Sequence, residues 1–130
     1  MKNNLQRALY WKEFILSCCD FPAPQALRAQ FEAAELVEFC ECGCNSFRVR
    51  TRTDASPSPI ADPGGYGAVF EADFRMANED KSIEIILFAG DSGSLEYVEI
   101  DCCANAYPVP EVVELMETPY HINISASLIK

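Results

Sequence analysis

The chain has little histidine, few basic residues and no long apolar run. Its 130 residues include one histidine, His121, and ten basic residues against twenty acidic ones, which gives a net charge of −10. No apolar run approaches the ~20 residues that a membrane-spanning helix needs. A negative field of this size repels nucleic acids and anionic membranes. We therefore expect neither a nucleic acid nor a membrane as the partner.

The beginning of the chain also lacks a recognisable secretory signal. The segment MKNNLQRALYWKEF carries charges where a signal has an uninterrupted apolar stretch. Without export, the seven cysteines are expected to be reduced thiols of a cytoplasmic protein, most of them buried as small apolar side chains. The length and the hydrophobic content of 49% indicate one folded domain spanning residues 1–130.

The clearest structural signal is the segment SIEIILFAGDSGSLEYVEIDCC at residues 82–103. A run rich in β-branched and aromatic residues ends at Phe88, turn-forming residues occupy 89–94, and a partly alternating run covers 95–101. This order predicts a β-hairpin. We expect its first strand to be buried on both faces and its second to be half-buried.

The remaining pattern predicts an α+β fold, with two N-terminal helices packed on one face of an antiparallel, meander-like sheet of about five or six strands. Val69, Ala72, Phe74 and Met76 are candidate core residues. The predicted elements are helices from Asn3 or Asn4 to about Cys18 and from Pro24 to Ala33, strands over 36–42, 45–53, 66–76 and 122–129, a mobile or functional loop over 54–65, and two helical turns over 110–117.

Cys40, Cys42 and Cys44 raise the question of a metal site. One-residue spacing on an extended strand separates alternate Cβ atoms by ~6.5 Å, too far for two sulfurs to share a metal. Gly43 could bend the chain, and Cys102 or Cys103 could complete a ligand set, so a zinc-binding module is the alternative interpretation. The favoured interpretation is a strand end packed with small thiols, with no metal and no cofactor.

No catalytic residue is predicted, and we do not expect an enzyme. The stretch GDSGS at residues 90–94 resembles the nucleophile segment of chymotrypsin-like proteases, but it departs from that pattern at Ser94. Ser92 has no visible base, because the single histidine follows it in the chain. The pairs Glu71/Asp73 and Glu99/Asp101 each share one strand face and could present two carboxylates together, although a solvated face is the simpler interpretation.

The charge distribution favours a binding function. Residues 1–30 carry a net +2, so the remaining hundred residues carry −12. Such a surface attracts a basic protein. The predicted partner-binding residues are the acids of the sheet and of the C-terminal segment, namely Glu96, Glu99, Asp101, Glu111 and Glu114.

Two stretches together resemble a group of small bacterial proteins. They are FCECGCNSF at residues 39–47 and ILFAGDSGSLEYVEIDCC followed by ANAYPVPE at residues 86–111. Members of that group share a Cys-x-Cys-Gly-Cys strand end, a sheet hairpin and a proline-containing tail, and some resemble the small acidic immunity proteins encoded beside polymorphic or contact-dependent toxins. The resemblance implies a non-catalytic inhibitor of a basic toxin such as a nuclease, and it assigns no functional residues.

Overall fold

A computed structural model describes residues 3–65 and 67–129. It confirms the α+β fold, with two N-terminal helices and a six-stranded antiparallel sheet. The elements are α1 (Leu5–Cys18), α2 (Pro24–Glu32), β1 (Ala34–Val37), β2 (Phe47–Thr51), β3 (Gly67–Arg75), β4 (Ser82–Ala89), β5 (Leu95–Cys102) and β6 (His121–Ile124). Neither helix is long and apolar enough to cross a bilayer.

The helices begin where local chemistry predicts. Asn4 caps α1, because its side-chain oxygen accepts a hydrogen bond from the backbone N–H of Arg7 at 2.9 Å. Pro24 occupies the first turn of α2, where its missing N–H is not needed. The buried residues of α1 are spaced three and four apart, so they form one stripe that faces the sheet, namely Ala8, Trp11 and Ile15.

The strand order is β1-β2-β5-β4-β3-β6. Strands β3, β4 and β5 form a continuous meander, which contains the predicted hairpin between β4 and β5. The complete sheet is not a simple meander, because β2 pairs with β5 rather than with β3. The segment after β2 therefore crosses to the far side of the meander before β3 begins.

The helices cover one face of the sheet and create the core. Phe14 of α1 packs against Phe74 with ring centroids 4.8 Å apart, and Phe21 packs against Phe70 at 5.0 Å. The four predicted core residues of β3 and its end are all buried. The prediction that β4 is buried on both faces was wrong, since its buried and half-buried residues alternate. Its half-buried side chains point to the face without helices, which we call the open face.

Two buried amides connect the helices to the sheet. Asn45 Oδ1 accepts hydrogen bonds from Arg7 Nε and from Trp11 Nε1, both at 2.8 Å. Gln30 Oε1 accepts from the backbone N–H of Leu95 at 3.0 Å, and its Nε2 donates to the carbonyl of Ser58 at 2.6 Å. A buried amide without such partners would be costly, so these contacts fix how each helix docks.

Three other segments differ from the predictions. The strand expected over 36–42 ends at Val37, because Glu38 has a φ of 50°, which extended backbone does not allow. The strand expected over 45–53 is confined to Phe47–Thr51. The last strand covers His121–Ile124 only, and Leu128 then forms an isolated bridge with Ala61.

The two helical turns expected over 110–117 are absent. Such a helix would have carried Glu111, Glu114 and Glu117 on one face, and that face does not form. Tertiary pairing replaces the helix: Ala77 N–H donates to the carbonyl of Glu114, and Met116 N–H donates to that of Arg75. The segment thus lies along the end of β3 as irregular extended chain. These partners outweigh a weak local helix preference.

The loop over 54–65 is anchored to the turn between β4 and β5. Ile60 and Ala61 are buried, and their N–H groups both donate to the carbonyl of Gly93. Gly93 has a φ of 82°, and a Cβ there would lie 2.1 Å from the Ala61 carbonyl oxygen. Glycine is therefore required at this close approach.

Candidate functional site

Five carboxylates meet on the open face, across the central strands. Asp73 lies opposite Glu84, and Glu84 lies opposite Asp101 in the next strand pair. In the neighbouring row, Ile86 lies between Glu71 and Glu99. Directly opposed side chains in an antiparallel pair share a face, with Cβ atoms ~4.5–5.5 Å apart. We call this set the acidic face: Glu71, Asp73, Glu84, Glu99 and Asp101.

Two members of the acidic face are buried although they are acids. Asp73 is 6% exposed and Asp101 is 7% exposed. In each, the Oδ1 atom has no hydrogen-bond partner among the described residues. Buried carboxylate oxygens are normally paired, because removing them from water is costly. Because the fold covers these two oxygens and supplies no donor to them among the described residues, the carboxylates stand in a costly environment.

Within residues 3–65 and 67–129, the lysine and arginine ion pairs involve other acids. The histidine beside the acidic face is His121, whose Nδ1 lies 3.0 Å from Asp73 Oδ2. Arg48 lies opposite Tyr97, so the alternation of β2 places Arg48 and Arg50 on the open face as well. Their ion-pair partners are Glu38, Glu96 and Glu35. These two arginines therefore do not form ion pairs with the acidic face.

The pKa values of two acids in the acidic face are raised by burial and by neighbouring carboxylates. Burial, together with hydrogen bonding and charge from Glu99, raises the pKa of Asp101 to about 7. Burial and the neighbouring Asp73 also raise the pKa of Glu71. Both effects disfavour the charged form of the acid. At neutral pH the folded chain therefore carries an electrostatic cost that a bound cation would relieve.

Apolar and aromatic side chains adjoin the acids on the same face. Phe88 lies opposite Tyr97 with ring centroids 5.9 Å apart, and Ile86 sits between two acids of the next row. All three are half-buried. Aromatic side chains are enriched at protein interfaces. The open face therefore combines apolar contact area with charge, as a protein-binding surface does.

The predicted binding residues occupy three places. Glu99 and Asp101 belong to the acidic face. Glu96 is exposed on β5, where its Oε1 lies 3.9 Å from Arg48 Nη1. Glu111 and Glu114 lie on the irregular segment, where the Glu111 carbonyl accepts from Arg7 and the Glu114 carboxylate from Asn78. Glu84 was not among the predicted residues, since only the register of β4 between its two neighbours brings it beside other acids.

A second cluster lies in the loop between β1 and β2. The sulfur atoms of Cys40, Cys42 and Cys44 all lie within 4.8 Å of one another. Cys42 Sγ and Cys44 Sγ are 3.0 Å apart. The bend that Gly43 was expected to allow is present, since its φ is 100°, and the sulfurs are therefore closer than an extended strand would hold them. We call residues 38–46 the thiol loop.

Hydrogen bonds hold the thiol loop in this shape. Cys40 N–H donates to the Ser46 carbonyl, and Val109 N–H donates to the Gly43 carbonyl, both at 2.9 Å. Hydrogen bonds from the other two thiols lower the pKa of Cys42, whereas burial raises that of Cys44 to about 12. The thiolate form is therefore favoured at the exposed Cys42 and disfavoured at Cys44.

The other cysteines lie outside this group. All seven are free thiols. Neither Cys102 nor Cys103 contributes a ligand atom to the cluster within the described part of the chain, so the predicted completion of a four-sulfur set does not occur there. Cys102 is buried at the end of β5, and Cys103 adopts a φ of 53° in the turn that follows.

The GDSGS stretch forms the turn between β4 and β5. Gly90 N–H donates to the Ser94 carbonyl, and Gly93 N–H to that of Gly90. His121 bonds Asp73, which pairs with Glu84 near the opposite end of β4. The fold therefore does not bring Ser92 and His121 together.

Comparison of the chain with protein-family models, with curated proteins and with solved structures finds no match.

Proposed function

We propose that this protein binds a basic protein partner through the acidic face, as a non-catalytic cytoplasmic inhibitor of the immunity type. The observation that supports this most is the set of five acids that strand register brings together on the open face, without a lysine or arginine ion pair among the described residues. Arginine and lysine side chains of a partner would form charge-assisted hydrogen bonds with the half-buried carboxylates of Glu71, Glu84 and Glu99.

The physical advantage of such a surface is greatest against a nuclease toxin. Nucleases bind a polyanion and so tend to be basic near their active sites, and an acidic inhibitor is drawn to them by long-range attraction. Rows of carboxylates on a rigid sheet would then occupy positions that phosphates take in the substrate. The adjoining Ile86, Phe88 and Tyr97 would supply apolar contact.

The test is site-specific photo-crosslinking in the cells that produce the protein. A photoreactive phenylalanine analogue at Phe88 samples the open face, and the same analogue at Tyr10 samples the exposed side of α1. We expect one basic protein to be captured from the first position and not from the second. Capture should weaken as salt is raised, because surface charges are screened.

Matched charge variants decide whether the acidic face is responsible. Two triple variants each replace three glutamates by glutamine. The acidic-face variant carries Glu71→Gln, Glu84→Gln, Glu99→Gln. The control variant alters scattered exposed acids and carries Glu13→Gln, Glu32→Gln, Glu79→Gln. Capture should be lost in the first and kept in the second. Equal loss in both, or no adduct at Phe88 at low salt, would refute the proposal.

A further inference from the structure

The thiol loop brings three sulfur atoms to distances that one metal ion can bridge. A tetrahedral zinc ion with Zn–S bonds of ~2.3 Å holds its sulfur ligands about 3.8 Å apart. The Cys42 and Cys44 sulfurs are 3.0 Å apart, and the three sulfurs lie within 4.8 Å of one another. Each sulfur–sulfur distance therefore needs to change by about 1 Å or less to reach the geometry of a zinc site.

Backbone hydrogen bonds of the thiol loop already orient its sulfur atoms for metal binding. The Cys42 N–H points at Cys40 Sγ, with nitrogen and sulfur 3.5 Å apart. Contacts of this kind to outer donors orient metal ligands and tune their basicity. Gly43 provides the bend, and its carbonyl is tied to the chain at Val109. A loop that only filled space with small thiols would not need its sulfurs converged.

A cleft adjoins the cluster on its exposed side. It has a volume of about 470 Å³, and Cys42 and Cys44 form part of its wall beside the turn that contains Asn105 and Tyr107. A ligand from solution can therefore approach the sulfurs directly. Zinc sites with three protein ligands differ from closed structural sites in keeping such a position for water or another ligand.

We infer that the thiol loop binds one Zn²⁺ through Cys40, Cys42 and Cys44, with a fourth position that faces the adjoining cleft. Binding converts the three thiols to thiolates, and their protons pass to solvent. A water molecule occupies the fourth position in the isolated protein. Thiolates are soft ligands that select zinc over hard cations such as Mg²⁺.

The experiment titrates the purified full chain with Zn²⁺ under a metal-free reductant and measures bound metal by elemental analysis. We expect one zinc ion per chain, retained during gel filtration and not displaced by excess Mg²⁺. Replacing Zn²⁺ with Co²⁺ gives an independent readout, since thiolate ligation produces an intense charge-transfer band. Its intensity should correspond to three sulfur ligands.

Cys42→Ser is the decisive variant, because Cys42 is exposed and its loss leaves the core intact. We expect zinc affinity to fall more than about 100-fold, since loss of an outer-shell partner alone costs 10–100-fold. Cys103→Ser is the matched control, a half-buried thiol outside the cluster, and it should bind zinc normally. Circular dichroism verifies that both variants fold.

Three outcomes would overturn the inference: no zinc retained under reducing conditions, binding unchanged in Cys42→Ser, or binding of copper(I) only. The acidic-face variant Glu71→Gln, Glu84→Gln, Glu99→Gln should keep its zinc. Failure of zinc binding and failure of partner binding can therefore be told apart.

Discussion

Replacing Asp101 by asparagine should stabilise the isolated protein at neutral and alkaline pH. Asp101 is 7% exposed, and burial beside Glu99 raises its pKa from 3.8 to about 7. Each tenfold change in proton affinity is worth about 1.4 kcal/mol, which sets an upper limit of about 4 kcal/mol on the cost of its charge. Glu99 is half-buried and keeps some contact with water, which reduces this cost. We expect a gain of about 1–3 kcal/mol at pH 8.

The pH dependence has a defined direction. Asp101 holds its proton more tightly in the folded chain than in the unfolded chain, so the free energy of unfolding falls as pH rises from about 4 to about 7. The stabilising contribution of the protonated Asp101 side chain to the free energy of unfolding is largest at acidic pH and is lost above about pH 7. The asparagine side chain of the variant cannot titrate, so Asp101→Asn should lose that part of the slope.

Urea denaturation followed by circular dichroism, at several pH values between 5 and 8, measures this effect. The wild-type chain should lose stability across this range more steeply than Asp101→Asn. Asp91→Asn, in the exposed turn between β4 and β5, removes the same charge and should leave the slope unchanged. The reasoning is refuted if Asp101→Asn destabilises the protein at pH 8 or follows the wild-type slope.

Two further substitutions test contacts that position the sites. Asn45→Ala removes the acceptor shared by Arg7 and Trp11 and leaves the buried indole N–H without a partner, so the free energy of unfolding should fall by about 2–4 kcal/mol. Urea denaturation measures this loss. The control, Asn123→Ala on the exposed edge strand, should cost less than about 1 kcal/mol. Gly93→Ala places a Cβ 2.1 Å from a backbone oxygen, so the melting temperature should fall well below that of Gly64→Ala, a glycine of similar positive φ with nothing within 4 Å of an added Cβ. Equal melting temperatures for the two glycine variants would contradict the close approach.

Local signals were sufficient for much of the fold. The asparagine cap of α1, the proline at the start of α2 and the β4–β5 hairpin each depend on neighbours within a few residues, and each was predicted. The segment over 110–117 was predicted wrongly because its partners, at the end of β3 and on α1, are far away in the chain. Sequence periodicity carries no information about such partners.

The candidate sites were less predictable for the same reason. Alternation places Glu71 with Asp73 and Glu99 with Asp101, but the register between strands is needed to bring Glu84 into the acidic face. The convergence of the three cysteines depends on the positive φ of Glu38 and Gly43. A glycine indicates that such a bend is allowed, whereas a glutamate at a positive φ is not a pattern that a sequence displays.

The arginine on α1 ties together parts of the chain that are made far apart in time. Arg7 donates to the carbonyls of Pro110 and Glu111, across 103 and 104 positions of sequence. The ribosome must therefore have synthesised residue 111 before α1 can form both of these hydrogen bonds. These two bonds form after the contacts that α1 makes with Asn45 and Phe74 become possible, and a chain that ends before residue 110 would leave the Arg7 guanidinium without its two carbonyl acceptors.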